Sequence, residues 1–476
     1  MKPSIKITLW VSALLLFFLF LRQNLAYFST PFYLEVLIVV EIVLVSLWRF
    51  DIIFFPLLMV VFLWAGSDPG LVAYSATSMR WVVLATGALA GAFLWMRRGQ
   101  RPYTVLNLAA VLCVIAALGS AMMSNLPMVA LLKVASLVLL FLYCSTGARL
   151  AVMGREARFM RGLLVACEFF VFISAMITFA GLSVLGNPNS LGAVLGVAVT
   201  PLLLWGFIIA QTRWERNRRA VFLLLCGFLL YSSLSRASLL AAIIVVVTLC
   251  LCLRRQQLLI RVVFLCVFFL SIAAVTRPSE FGELMTTTTS NVVYKGRPED
   301  GLLSSRSGPW QQSFALIKQH PWLGSGFGTS DVGTVPASTS LNLRGGVSTG
   351  EGALREHGSS YLAMTEYMGL VGIVPFVFLL FLLLRMIVQM CLWMRRTNNA
   401  CHPGIPMAMV LLAGLVHAIF EDWLFAVGYH LCVFFWTMAF VLKDLMPSSA
   451  EVSARGTSSI AARILHPIPA SVVINR

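Results

Sequence analysis

The sequence predicts an all-α polytopic membrane protein of about 12–14 transmembrane helices, with one long extracytoplasmic loop that carries short helices of its own. Three observations lead there. The 476 residues are 59% hydrophobic and only 11% charged, which a soluble domain of this length does not show. Apolar runs of about 17–25 residues, each able to cross ~30 Å of hydrocarbon, recur along the chain. The short alternating segments of a membrane barrel are absent. A polar stretch at 276–358 then breaks the pattern once.

Taken in order, spans are expected near 7–21, 33–48, 52–66, 81–96, 103–123, 127–145, 163–185, 190–211, 220–233, 237–253 and 258–275. After the loop they resume at 360–392, 404–420 and 425–445. The first run has no small-residue cleavage site behind it and reads as a retained span rather than a signal peptide. The chain thus divides into a first bundle (1–275), the loop (276–358), C-terminal spans (359–446) and a Ser/Ala-rich tail (447–476). No solenoid-type repeat is visible, and TTTTS at 286–290 is the only low-complexity patch.

The formal net charge of +16 invites a nucleic-acid reading, but the cations sit in short loops between spans. With the N-terminus inside, alternate connections carry clusters such as Arg97–Arg98, Arg155–Arg158–Arg161, Arg213–Arg216–Arg218–Arg219 and Arg395–Arg396. Counted over termini and short loops, 23 cations fall on that side and three on the other. The asymmetry places both termini in the cytoplasm and the long loop outside, with no call for nucleic acid. Of ten cysteines only Cys401 lies outside an apolar segment, so neither a disulfide framework nor a Cys-ligated metal is expected.

The external face then holds few polar features: GNPNS at 186–190, SSLSRAS at 232–238, the loop, and FEDW at 420–423. Arg236 admits two readings. A cation at a span end commonly snorkels to the interface. Here it lacks a neighbouring acid, lies on the side the charge rule disfavours, and stands among serine hydroxyls. Its guanidinium fork suits phosphate oxygens. Within the loop, SSRSGPWQQSFALIKQHPWLGSGFG (304–328) predicts an amphipathic helix capped by Ser307, with Pro309 early and Trp310, Phe314, Leu316 and Ile317 on one apolar stripe. Arg306 falls near its positive end, where an anion can dock. Gly324, Gly326 and Gly328 read more readily as a helix stop and tight turn than as a phosphate loop. Arg297, in KGRPED, has its own counter-ions nearby.

His357 stands where the chain meets the membrane again, as either a hydrogen-bonded structural residue or a proton acceptor near neutral pH. Glu351 and Glu356 are neighbouring carboxylates. His417, Glu421 and Asp422 group at the outer end of a span, and His430 begins the last one. Capping of the span end is an equal reading for Asp422. No paired carboxylates or spaced histidines suggest a metal, and no P-loop suggests a nucleotide cofactor.

Several of these stretches in combination resemble the O-antigen ligase and O-antigen polymerase superfamily. They are N-x-N within GNPNS, Arg in an S-x-SR-A-S turn, R-x-x-x-W and P-W-L-G-x-G-F-G in the external loop, and H-x-S-x-Y-L-x-x-x-x-x-x-G-L-x-G entering the next span. The resemblance covers roughly residues 180–385. It departs from the family in having Gly358 and Ser359 after the histidine, where Asn is frequent, which points toward a polymerase branch. What the resemblance implies is a metal- and cofactor-independent inverting glycosyltransferase of the bacterial inner membrane, its site facing the periplasm. The donor would be an undecaprenyl pyrophosphate-linked glycan, the acceptor another glycan or lipid-linked glycan, and membrane lipids would surround the spans. Arg236 and Arg306 would hold the pyrophosphate and His357 would activate the acceptor hydroxyl. Asn189, Ser235, Arg297, Tyr361, His417 and Glu421 are the substrate-binding candidates around them. A polymerase of surface polysaccharide is the first reading; a ligase to lipid A core or a protein O-oligosaccharyltransferase is the alternative. A flippase fits less well. Apart from Glu35, Glu41, Lys133, Glu168, Glu366 and Arg385, the central spans carry no charge.

Overall fold

The computed structural model describes residues 43, 46–67, 73–98, 103–182, 184, 185, 187–276, 282, 304–329 and 357–447. The predicted span at 7–21, most of 33–48, Arg297, most of the long loop and the tail lie outside them. The described helices are α1 (Phe50–Ala65), α2 (Ala73–Arg98), α3 (Val105–Ala121), α4 (Pro127–Val152), α5 (Glu156–Phe179), α6 (Pro188–Ile209) and α7 (Arg213–Ser232). They continue with α8 (Arg236–Cys252), α9 (Gln256–Thr276), α10 (Ser304–Gln319), α11 (Ser360–Thr397), α12 (Gly404–His417) and α13 (His430–Leu445). There is no β-strand among the described residues, and every span expected from residue 52 onward has its helix.

The most apolar helices are central. Every residue of α13 from His430 to Leu442 is buried, as is most of α12. A helix that is hydrophobic all round needs partners on all sides, and α4, α6, α8 and α11 supply them. The outer surface is apolar as well: Leu89, Phe93, Ile115, Leu132, Phe169 and Phe378 are exposed. Such an exterior requires lipid. α2, α4, α5, α6 and α11 contain segments long and apolar enough to cross a membrane, and the protein is a multi-pass membrane protein.

Local sequence explains the helix starts and irregularities that shape one end of this bundle. Asn187 caps α6 by accepting the Asn189 amide at 2.9 Å, with Pro188 in the first helical position. Before Pro201, which has no N–H to give, α6 widens into a π-turn over Val194–Val199, and Thr200 Oγ1 donates back to Leu195 O at 2.8 Å. Gly192 and Gly196, four apart, let α6 touch the 233–238 turn. A side chain at Gly192 would run into Ser233 and Ser235, and one at Gly196 into Ser238.

α10 differs from its expected form. It starts at Ser304, so Ser307 lies inside its first turn instead of capping it, and Pro309 is interior. Its inward face carries Arg306, Trp310, Ser313 and Leu316, while Phe314, 51% exposed, points away. Polar residues on the inward face displaced the apolar stripe by part of a turn, because the partner is a polar site rather than a lipid surface.

α11, expected as one uninterrupted span, is broken at Gly369, whose φ of 62° and ψ of −174° no helix allows. The 321–328 segment is spliced into the break. Ser325 and Gly326 donate to the carbonyls of Glu366 and Tyr367 at 2.9 and 3.2 Å, and Leu370 and Val371 donate to those of Pro321 and Trp322 at 2.8 and 3.1 Å. Backbone groups of Glu366, Tyr367, Leu370 and Val371 are thus satisfied by the segment around the break, the condition for irregular backbone at membrane depth. The glycine-rich turn is therefore a structural insert, with Gly324 close against Tyr367 and Gly369.

Candidate functional site

The connections 179–188, 232–236 and 417–430, the start of α11 and the inward face of α10 meet at one end of the bundle. Ser360 ties the start of α11 to the 417–430 connection. Its hydroxyl donates to Glu421 O at 2.7 Å and accepts the amides of Trp423 and Leu424 at 3.0 and 3.1 Å. The 418–429 segment is further fastened by Arg80, whose Nη1 donates to Gly428 O at 2.7 Å.

His357, 2% exposed, has a carboxylate on each ring nitrogen: Asp422 Oδ2 lies 2.9 Å from Nδ1 and Glu366 Oε1 3.3 Å from Nε2. Tyr367 stands edge-on to the ring, its hydroxyl 3.4 Å from Nδ1. Burial pulls the imidazole pKa down, but the hydrogen bonds and charges of Asp422 and Glu366 outweigh it and hold it at about 9. At neutral pH the ring is an imidazolium donating from both nitrogens. The splice at Gly369 fixes Glu366, since the adjoining segment holds that residue's own carbonyl.

Arg306 lies against Gly358, next to His357, and pairs with Glu421. Gly358 has φ of 66°, and a side chain there would press on the Arg306 and Trp310 side chains; its carbonyl instead accepts Trp310 Nε1 at 3.1 Å. A glycine after the histidine thus permits the close approach of the arginine. Arg236, on the first residue of α8, is near enough for the charge of Arg306 to act on it. Lys133 of α4 donates to Gly328 O, and Asp422 acts on its charge in turn.

Beside this cluster opens a cavity of about 290 Å³ lined by Asn187, Asn189, Ser190, His417, Glu421, Asp422, Trp423 and Tyr429, with Ala193 and Ala426. Ser190 and Tyr429 both line it, and the serine lies near enough to the phenol to act on it. Burial, with the nearby charge of Glu421, raises the Tyr429 pKa to about 12 against the lowering by that serine, so it remains a neutral phenol. His417 lines the wall with both nitrogens engaged. Indole can only donate, so Trp423 Nε1–H at 2.8 Å makes Nδ1 the acceptor, and Nε2–H is left to donate to Ser238 Oγ at 3.1 Å.

Of the residues singled out from sequence, Arg236, Arg306, His357, His417, Glu421 and Asn189 come together here. Ser235, bonded to Ser238 at 2.7 Å, and Tyr361, whose hydroxyl donates to Leu415 O at 2.8 Å, stand behind the wall and support it. Arg297, Glu351 and Glu356 lie outside the described residues. In the sequence Glu366 reads as one of a few charges within the spans. The signal that marks it is a carboxylate inside an apolar run nine residues after a histidine. Asp422, read equally as a cap, proves to be that histidine's closer partner. No group of three or more His, Cys, Asp or Glu side chains arranged to hold a metal occurs among the described residues.

Residues 220–377, about a third of the chain, match the family model described as O-antigen ligase. The match takes in Arg236, Arg306, His357 and Glu366, and stops short of His417, Glu421 and Asp422. No curated protein matches the chain.

Proposed function

We propose, from the match of residues 220–377 to the family model described as O-antigen ligase, that this chain is a glycan-transferring enzyme that uses a polyprenyl pyrophosphate-linked donor. On this reading the cluster around His357 faces the periplasm of a bacterial inner membrane and both termini are cytoplasmic. The cation asymmetry of the short loops supports that orientation. So does the fold, in which the connections 152–156, 209–213 and 252–256, carrying Arg155, Arg213, Arg254 and Arg255, all gather at the end of the bundle away from His357.

The observation that carries the reading is that two guanidinium groups, Arg236 and Arg306, lie near each other, and that Arg306 and His357 each pair with a carboxylate, Glu421 and Asp422, that lines one cavity. Pyrophosphate is already a good leaving group. Its departure needs fixed positive charge, which two guanidinium forks provide in place of a metal. The acceptor hydroxyl must lose a proton as it attacks the anomeric carbon, and the His357 cluster is where that proton is received. Direct displacement inverts the anomeric centre. The donor linkage supplies the energy, so no nucleotide enters, and transfer is expected to continue in the presence of a chelator.

Extension of a lipid-linked chain is the first assignment and attachment of the finished chain to lipid A core or a protein the second. The glycine after the histidine favours the former. Deleting the gene and sizing the glycans separates them. A single repeat unit left in place indicates a polymerase, and long chains accumulating on the polyprenyl carrier indicate a ligase. Unchanged glycans would overturn both.

A further inference from the structure

The usual expectation for a buried histidine beside a hydroxyl-bearing substrate is that a free ring nitrogen takes the proton. Neither nitrogen of His357 is free for that task, because Asp422 occupies Nδ1 and Glu366 occupies Nε2. The side chain of Glu366 is 0% exposed and lies behind the ring. Asp422 is 23% exposed and forms part of the cavity wall. Its Oδ2 is spent on His357, while Oδ1 makes no hydrogen bond among the described residues.

We infer that Asp422, through Oδ1, is the group that takes the acceptor's proton, with His357 and Glu366 behind it as positioning residues. This rests on the glycosyl-transfer reading above and names the reacting atom within it. The balance is simple. The acceptor O–H bond breaks and its proton goes to Asp422 Oδ1. The oxygen's electron pair forms the bond to the anomeric carbon, and the bond from that carbon to the pyrophosphate oxygen breaks, its pair leaving on the pyrophosphate beside Arg306 and Arg236. The proton on Asp422 then exchanges with water in the cavity.

The order acid–imidazolium–acid has a physical rationale. A carboxylate that must be ionised yet stand free toward substrate needs a fixed counter-charge on its other side. The groups facing Asp422 and His357 from each packed element are Lys133 on α4, Arg306 on α10, Glu366 and Tyr367 on α11, His417 on α12, and Glu421 beside Asp422 in the chain. Glu421 lines the same cavity but is paired with Arg306, which leaves Asp422 the better placed of the two acids.

The test uses the full-length chain in membranes that carry its native lipid-linked glycans, and measures transfer against pH. Binding of inorganic pyrophosphate, read as protection against thermal unfolding, serves as the separate check that each variant is folded and holds its anion. Asp422→Asn is expected to keep pyrophosphate protection and lose transfer about 10²–10⁴-fold, with Asp422→Glu recovering part of it. His357→Gln, whose amide can still bond both acids, is expected to lose only about 10-fold, an amount typical of a mislaid hydrogen bond. Its acid limb should move to higher pH, because a carboxylate beside a neutral amide protonates more easily than one beside a cation. Glu366→Gln should move the alkaline limb to lower pH, since the imidazolium then has one carboxylate fewer to hold its proton. Retained transfer in Asp422→Asn overturns the inference. So does His357→Gln that is as inactive as Asp422→Asn at every pH, because the ring itself would then be the acceptor. If the wild type neither binds pyrophosphate nor alters glycans, the underlying reading fails instead.

Discussion

α4 and α13 both run from one end of the bundle to the other, and the two ends use the same ingredients differently. At the far end Arg149 meets Asp444 through two bonds of 2.6 and 2.8 Å, with Trp95 stacked 4.3 Å from the guanidinium. Arg218 and Arg219 share Glu168, Arg155 takes Asp51, and the cavity next to Arg149 amounts to about 10 Å³. At the near end Arg306 and Glu421 also pair, but beside about 290 Å³ of open space with Arg236 close by. At the far end each of these guanidinium groups is met by a carboxylate, and there is almost no space beside Arg149 for a ligand. At the near end the carboxylates Glu421 and Asp422 face a cavity, and a pair such as Arg306–Glu421 in that setting can exchange its partner for substrate. An ion pair by itself says little of function; the space next to it decides.

The largest expected effect breaks that comparison directly. Arg306→Lys and Arg236→Lys should each lower transfer by about 10²–10³-fold, because an ammonium cannot reproduce the forked grip on pyrophosphate. Arg149→Met should instead remove the guanidinium that holds Asp444 through two bonds and cost up to about 3–5 kcal/mol of stability, with turnover per folded molecule unchanged. Measuring thermal unfolding and transfer on the same preparations checks both. Arg149→Met abolishing turnover in folded protein would show that the two ends are not separate.

A smaller effect tests how the near end is held. Gly369→Ala places a side chain at positive φ and into the Trp322 carbonyl. It should open the splice and move Glu366 away from His357. Transfer is expected to fall about 10-fold, at a strain cost of roughly 1–3 kcal/mol. Gly372→Ala, three residues on in regular helix, is the control and should do neither. Equal effects from both would mean that the break has no role in placing Glu366.

Why some of this was legible in sequence and some was not follows from the period of each signal. Spans show in apolar runs of fixed length, so the helices from residue 52 onward are found where expected. Arg236 and His357 show because a charge at a span border is costly and therefore conspicuous, and Arg306 because it opens a loop helix beside a positive helix end. The break at Gly369 is invisible because hydropathy is indifferent to one glycine in an apolar run, and the segment that repairs it lies more than forty residues earlier. Glu366 reads as a stray charge in the sequence because its partner, His357, lies nine residues away, before the helix starts, rather than one helical turn away. The register of α10 was missed because an amphipathic stripe assumes an apolar partner, and this helix turns Arg306 and Ser313 inward.

The smallest effect concerns pH and sharpens the contrast between the ends. The folded protein holds the His357 pKa at about 9, against about 6.5 for the unfolded chain. A group whose pKa is raised by folding contributes stability that is fully present below the unfolded value and is lost as pH climbs through the folded one. The stability difference between wild type and His357→Gln should therefore be greatest below about pH 6.5 and shrink steadily toward pH 9. Arginine does not titrate in this range, so the corresponding difference for Arg149→Met should stay flat across the same window. Thermal unfolding of the three proteins at a series of pH values decides it. A His357→Gln difference that stays constant with pH would mean the ring is neutral in the fold, and the pairing with Asp422 and Glu366 would then have to be a single-proton arrangement instead of an imidazolium between two anions.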